Sequence, residues 1–93
     1  MKDIDIVAYL ASSEKLDLHG LTCDEARFEL LRTLNLVDTK TKAVEVVHGY
    51  HRGRALRDLV RNEFEHPLVV QKVKLDPSRT LLVLDFDRIF KKK

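Results

Sequence analysis

An extended run with apolar residues that ends in His-Gly and passes at once into helix-forming sequence occurs twice in this 93-residue chain, and no other feature restricts its folding as much. The first copy is Leu16-Asp17-Leu18-His19-Gly20, followed by Leu21-Thr22-Cys23-Asp24-Glu25-Ala26. The second is Val44-Glu45-Val46-Val47-His48-Gly49, followed by Tyr50-His51-Arg52-Gly53-Arg54-Ala55-Leu56. Two strands with one helix between them are expected as parallel neighbours joined by a right-handed crossover, which brings their carboxyl ends to one edge of one sheet. Such edges are where open α/β sheets hold ligands. His19 and His48, with His51 close behind, are therefore expected to meet in one crevice.

The local pattern supports that frame. In residues 16–19 a period of two turns Leu16 and Leu18 to one side and Asp17 and His19 to the other. Thr22-Cys23-Asp24-Glu25 is a capping box, so a helix starts there and is expected to run to about Leu36. Its apolar stripe is Cys23, Ala26, Leu30, Leu34 and Val37, with Leu31 beside it. A polar connector, residues 38–42, leads to the short β-branched run 43–47, which reads as a buried central strand. The second helix starts after Gly53, carries Leu56, Leu59, Val60 and Phe64 inward and ends near Glu65, because Pro67 disfavours helical geometry at His66. On its other face Arg54, Arg57 and Arg61 form a basic stripe.

Residues 68–75 and 80–86 are extended segments joined by Asp76-Pro77-Ser78-Arg79, with Asp first and Pro second as a tight turn prefers. The expected order is β-α-β-α-β-β, an α+β two-layer sandwich of two helices on a four-stranded mixed sheet. Residues 1–15 form an arm or short helix ahead of the domain, 16–87 the domain, and 88–93 a basic, mobile tail.

Composition narrows the class. A chain with 44% hydrophobic and 34% charged residues is one globular domain rather than a disordered segment. Its net charge of +2 permits a nucleic-acid partner without requiring one. No run reaches the ~18 apolar residues of a membrane span. Asp3 and Asp5 do not suit a signal peptide, so a cytoplasmic protein is expected. The single cysteine, Cys23, excludes an internal disulfide and offers no disulfide-linked partner.

Gly20, Gly49 and Gly53 allow tight turns and close backbone approach, while helix amino termini present amides to an anion. His51, Arg52 and Arg54 add donors or cations around the second turn, and Arg57 and Arg61 extend them along the helix. Phosphodiester cleavage needs a base, an acid and positive charge for the developing transition state. His19 and His48 are suited to the proton transfers, and Asp17 is placed to orient the His19 ring. A lone histidine at a strand end more often satisfies a turn, but two copies with a co-facial aspartate favour a site. Asp17, His19, His48 and His51 have metal-donor chemistry without metal-ligand spacing, so no metal is assigned. His66 reads as a surface residue at a helix end.

These residues resemble the Smr (small MutS-related) domain, whose marks are an L-D-L-H-G strand end and a downstream H-G-x-G-x-G turn. Residues 16–20 match the first mark in full, and residues 47–56 contain the second except that His51 stands where the family usually has its middle glycine. The Asp76-Pro77-Ser78-Arg79 hairpin is also shorter than the Gly-rich loop of many members. The resemblance implies a fold like the carboxy-terminal domain of translation initiation factor three. It also implies binding to RNA or DNA, with endonuclease activity in several members, some on messenger RNA at stalled ribosomes. The family's Asp-x-His pair falls on Asp17 and His19, and its second turn on His48, Gly49 and Gly53. With RNA the 2′-hydroxyl can serve as nucleophile, whereas DNA cleavage brings in water and a divalent metal. Two other readings stay open: a non-catalytic nucleic-acid-binding module, and a protein-interaction adaptor whose histidines are structural.

Overall fold

β2, Ala43–Val47, lies in the middle of the sheet, with Val44 and Val46 buried on one face and Ala43 on the other. It pairs in parallel with β1, Ser13–Asp17, and antiparallel with β4, Arg79–Leu84. β3, Val69–Asp76, closes the other edge, giving the order β1-β2-β4-β3. These elements come from a computed structural model that describes residues 6–49 and 54–87. The register sets Asp17, Val47 and Arg79 in one row across three strands.

Val44, Val46, Leu82 and Leu84 face one side of the sheet and meet Leu18, the inner stripe of α2 (Cys23–Leu36) and the second helical segment. That segment is α3, Arg54–Asp58, running into a π-helical turn, Leu59–Glu63. Leu56, Leu59, Val60 and Phe64 are all buried, as their spacing predicts. Each fully buried leucine in this layer contributes roughly 1.5–3 kcal/mol relative to an exposed one. α2 starts with the expected capping box: Thr22 Oγ1 accepts from the Glu25 amide at 3.1 Å, and Glu25 Oε1 accepts from the Thr22 amide at 2.9 Å. Leu31 is turned outward, with Phe28 and Leu36, rather than beside the core stripe.

The opposite face is not bare. α1, Ile6–Ala11, lays Ile6, Tyr9 and Leu10 over Ala43, Leu81 and Val83. The expected α+β sandwich of two helices on one face of a four-stranded mixed sheet is present, and the third helix, α1, partly covers the other face. β1 also begins at Ser13, three residues earlier than expected, and ends at Asp17. Residues 6–15 are thus packed into the same folded unit as the strands that follow. The tail, 88–93, lies outside the described residues.

The second helix differs most from expectation. The Phe64 amide donates to the Leu59 carbonyl at 2.7 Å, an i to i+5 bond that widens the turn. A wider turn advances each side chain by a smaller angle than an α-helix, so Arg61 falls out of the row begun by Arg54 and Arg57. Lys72 Nζ donates to the Phe64 carbonyl and closes the end of this turn. Beyond it, His66 is half-buried rather than a free surface residue. Its Nδ1 accepts from the Leu68 amide at 3.1 Å, which leaves the proton on Nε2 to donate to Asn35 Oδ1 at 3.0 Å. Among the described residues no helix is long and apolar enough to cross a membrane.

Candidate active site

β1 and β2 end side by side, and both end in a glycine turn. At the first, the Leu18 amide still bonds the Val47 carbonyl at 2.7 Å, and the Leu21 amide reaches the Leu18 carbonyl at 3.1 Å. Residues 18–21 thus form a β-turn with Gly20 at its third position and φ of 87°. A type II turn demands this left-handed conformation there, and glycine adopts it without a side-chain clash. At the second turn Gly49 has φ of 88°, and a β-carbon on it would lie 3.4 Å from that of His19. The two turns touch, so His19 and the His48-Gly49 turn share one sheet edge as expected.

The two histidines stand in opposite environments. Asp17 Oδ1 accepts from the His19 ring Nδ1 at 2.7 Å and from the His19 amide at 3.0 Å. Nδ1 therefore carries the proton, and Nε2 is left as the accepting nitrogen. The ring is 70% exposed. The ring hydrogen bond, followed by the amide, holds the Asp17 carboxyl below its ordinary range. A charged carboxylate behind an exposed imidazole is the arrangement a general base requires.

His48 is fully buried. Its Nδ1 bonds the Gly49 carbonyl at 3.1 Å and its Nε2 bonds Thr80 Oγ1 at 3.0 Å. Burial pushes its pKa down and keeps it neutral. The expectation that His48 supplies a second proton transfer is corrected here, because both nitrogens are engaged inside the fold. The amides of His48 and Gly49 are engaged too, both donating to the Ser78 carbonyl at 3.0 and 3.1 Å. The Gly49 amide is accordingly not presented to an anion.

The cations divide in the same way. Arg54 is exposed at the first residue of α3, and Arg57 is half-buried with a 3.5 Å contact to Asp58. Arg61 is turned into the sheet: Nε donates to Thr80 Oγ1 at 2.6 Å, and Nη2 to the carbonyls of Asp76 at 2.7 Å and Arg79 at 3.1 Å. It is a structural donor, not the third member of a surface stripe. His51, Arg52 and Gly53 lie outside the described residues. Among the described residues no three His, Cys, Asp or Glu side chains converge as a metal-binding set.

Sequence reasoning missed Thr80, Ser78 and Arg79. Arg79 bridges Glu45 Oε2 at 2.7 Å and Asp76 Oδ2 at 2.8 Å, two strands from Asp17 in the same row. With the Ser78 hydrogen bonds it lowers the Asp76 carboxyl to about 2. Thr80 carried a signal: in β4 it is the polar member of the inward set Thr80, Leu82 and Leu84, and an inward polar residue needs a partner.

The Smr domain family matches residues 16–80, which contain both turns, α2, the second helical segment and the start of β4. The chain belongs to the Smr domain family. No curated protein and no solved structure gives a significant match to it. Smr domains bind nucleic acids and are associated with nuclease activity. In this Smr domain the motif residues have separate tasks: Asp17 and His19 face solvent, whereas His48 and Gly49 are bonded into the framework beneath them.

Proposed function

We propose that this Smr domain binds RNA at the carboxyl edge of β1 and β2 and cleaves it with Asp17 and His19. The observation that carries the reading is the exposed, 2.7 Å Asp17–His19 pair packed against the Gly49 turn. His19 Nε2 takes the proton of the ribose 2′-hydroxyl. The 2′-oxygen attacks the adjacent phosphorus, and the 5′-oxygen departs to leave a cyclic phosphate and a free hydroxyl. Asp17 holds the ring in its tautomer and stabilises the imidazolium that forms. The departing oxygen takes its proton from solvent or from His51. Arg52, Arg54 and Arg57 supply positive charge for the phosphate, and Gly20 keeps the first turn open to it.

RNA is favoured because its own hydroxyl makes one positioned base sufficient to start the reaction. DNA would require an activated water and, with it, a divalent metal. The cytoplasm, with messenger RNA at the ribosome as one setting, agrees with the family resemblance and with the unpaired Cys23. A non-catalytic binding module is the second reading. It is favoured by one observation: with His48 buried, the described residues hold one solvent-facing histidine at this edge, not two.

The test is incubation of the wild-type chain and His19→Ala with single-stranded RNA and supercoiled plasmid, with and without chelator. Chelator-resistant RNA cleavage that disappears in the variant is the expected result. Binding without cleavage in the wild type establishes the second reading, and cleavage only of plasmid with added metal moves the substrate to DNA.

A further inference from the structure

Arg61 and Thr80 are invested in the second turn more heavily than packing requires. Thr80 Oγ1 accepts from Arg61 Nε at 2.6 Å and lies 3.0 Å from His48 Nε2, while His48 Nδ1 lies 3.1 Å from the Gly49 carbonyl. Proton accounting fixes the direction of every bond. A guanidinium only donates and a carbonyl only accepts. The one hydroxyl proton of Thr80 must therefore go to His48 Nε2, and the ring proton of His48 must sit on Nδ1 and go to Gly49. The chain of donors runs one way, from Arg61 through Thr80 and His48 to the Gly49 carbonyl.

A second route leaves the same guanidinium. Arg61 Nη2 donates to the carbonyls of Asp76 and Arg79, which flank the two-residue tip of the β3–β4 hairpin. Between them the Ser78 carbonyl accepts the amides of both His48 and Gly49. Asp76 Oδ1 in turn holds the Ser78 amide and hydroxyl at 2.9 Å each. One side chain is thus connected to both the carbonyl and the amide of Gly49, the residue against which His19 packs. A hydrogen-bonded network with every member satisfied rigidifies what it holds, and no buried side-chain nitrogen or oxygen among the described residues lacks a partner.

We propose that Arg61, Thr80 and His48 are positioning residues: a one-way hydrogen-bond relay that sets the Gly49 peptide groups and so fixes the second turn beside the Asp17–His19 pair. The proposal rests on the reading that this edge binds RNA only in its final step, the effect on binding. The relay itself is a property of the free protein. Arg61 acts by geometry, through three directed donors, and not as a phosphate contact.

The experiment uses the full chain labelled with nitrogen-15 and observes the histidine rings and backbone amides by NMR. In the wild type at neutral pH, His48 should show a single neutral Nδ1–H tautomer. Thr80→Val, which keeps the shape and removes the hydroxyl, should shift the His48 Nε2 signal, as that nitrogen loses its donor, and shift the Gly49 amide, and Thr80→Ser should restore both. Arg61→Gln should give the same ring and amide changes by removing the donor to Thr80. If Thr80→Val does not fold, the wild-type tautomer and Arg61→Gln still decide. Fluorescence anisotropy with a short single-stranded oligouridine RNA then measures binding. Arg61→Gln should weaken it several-fold while the slope of log affinity against log salt stays at the wild-type value.

A His48 ring in the Nε2–H form overturns the relay, as does a Gly49 amide that ignores both variants. A salt slope reduced by about one in Arg61→Gln makes Arg61 a phosphate contact and overturns the assignment. An absence of RNA binding by the wild type would defeat the functional reading, while the ring and amide signals would still decide the relay.

Discussion

The two His-Gly turns look like repeats in the sequence and behave as opposites in the fold. In the first, the histidine is 70% exposed and its ring bonds the carboxylate two residues earlier. In the second, the histidine is fully buried, and each ring nitrogen is bonded to a different part of the molecule. The difference arises from position in the sheet. β1 is an edge strand, so the turn after it has open space on one side. β2 is central, and the hairpin tip of β4 and β3 closes over its end. An edge turn can offer chemistry, while a central turn is recruited as framework for it.

Replacing the two histidines should break the resemblance most sharply. His19→Ala should lower RNA cleavage by ~10²–10⁴-fold, the usual contribution of a general acid–base group, with binding changed only a few-fold and the thermal midpoint unchanged. Asp17→Asn should lower cleavage too, by freeing the ring to flip its tautomer. His48→Ala should act instead on the fold. It leaves the hydroxyl proton of buried Thr80 without its acceptor, and a buried orphan costs about 1–3 kcal/mol. Urea unfolding of the two alanine variants should therefore show a loss for His48→Ala and none for His19→Ala. Equal stability losses would mean that both histidines are structural.

The pH dependence of stability follows the same division. Burial lowers the pKa of His48 and of His66 below the ordinary 6.5, so the unfolded chain binds protons before the folded one does. Stability then rises with pH wherever the unfolded state holds more protons. The contribution of each group is complete above pH 6.5 and is lost as pH falls from there towards its lowered folded value. Each group steepens the fall by up to about 1.4 kcal/mol per pH unit. Urea midpoints between pH 7.5 and 5 should decline in the wild type, and His66→Gln should flatten the decline in part. A flat profile would show that neither ring is kept neutral by the fold.

Much of this was legible in the residues. The capping box placed the first turn of α2, the short β-branched run placed β2 to the residue, and the Asp76-Pro77 pair placed the hairpin turn. Local rules suffice where neighbours in sequence decide the outcome. The opposite fates of His19 and His48 were not legible, because the partner of His48 is 32 residues away in β4. Arg61 was misread for a similar reason. Spacing by three and four assumes an α-helix, and the π-helical turn rotates that side chain towards Thr80. α1 was unsettled because its apolar side makes sense only once the second face of the sheet is known to need cover.

The smallest expected effect concerns the arginines, and it tests whether the division between surface and framework reaches beyond the histidines. Arg54 is exposed and Arg57 is only weakly held by Asp58, whereas Arg61 has three directed bonds into the fold. If the exposed pair neutralises phosphates, each of Arg54→Ser and Arg57→Ser should reduce the slope of log affinity against log salt by about one, since each lost contact releases one fewer counterion. At fixed low salt the same variants lose only a modest share of the affinity, so the slope is the sensitive quantity. Arg61→Ser should leave the slope alone and lower the urea midpoint, because it removes the donor to Thr80 and unties the hairpin. Three equal slope changes would restore a continuous basic stripe along the helix, and with it a binding surface on which the first and second turns are alike.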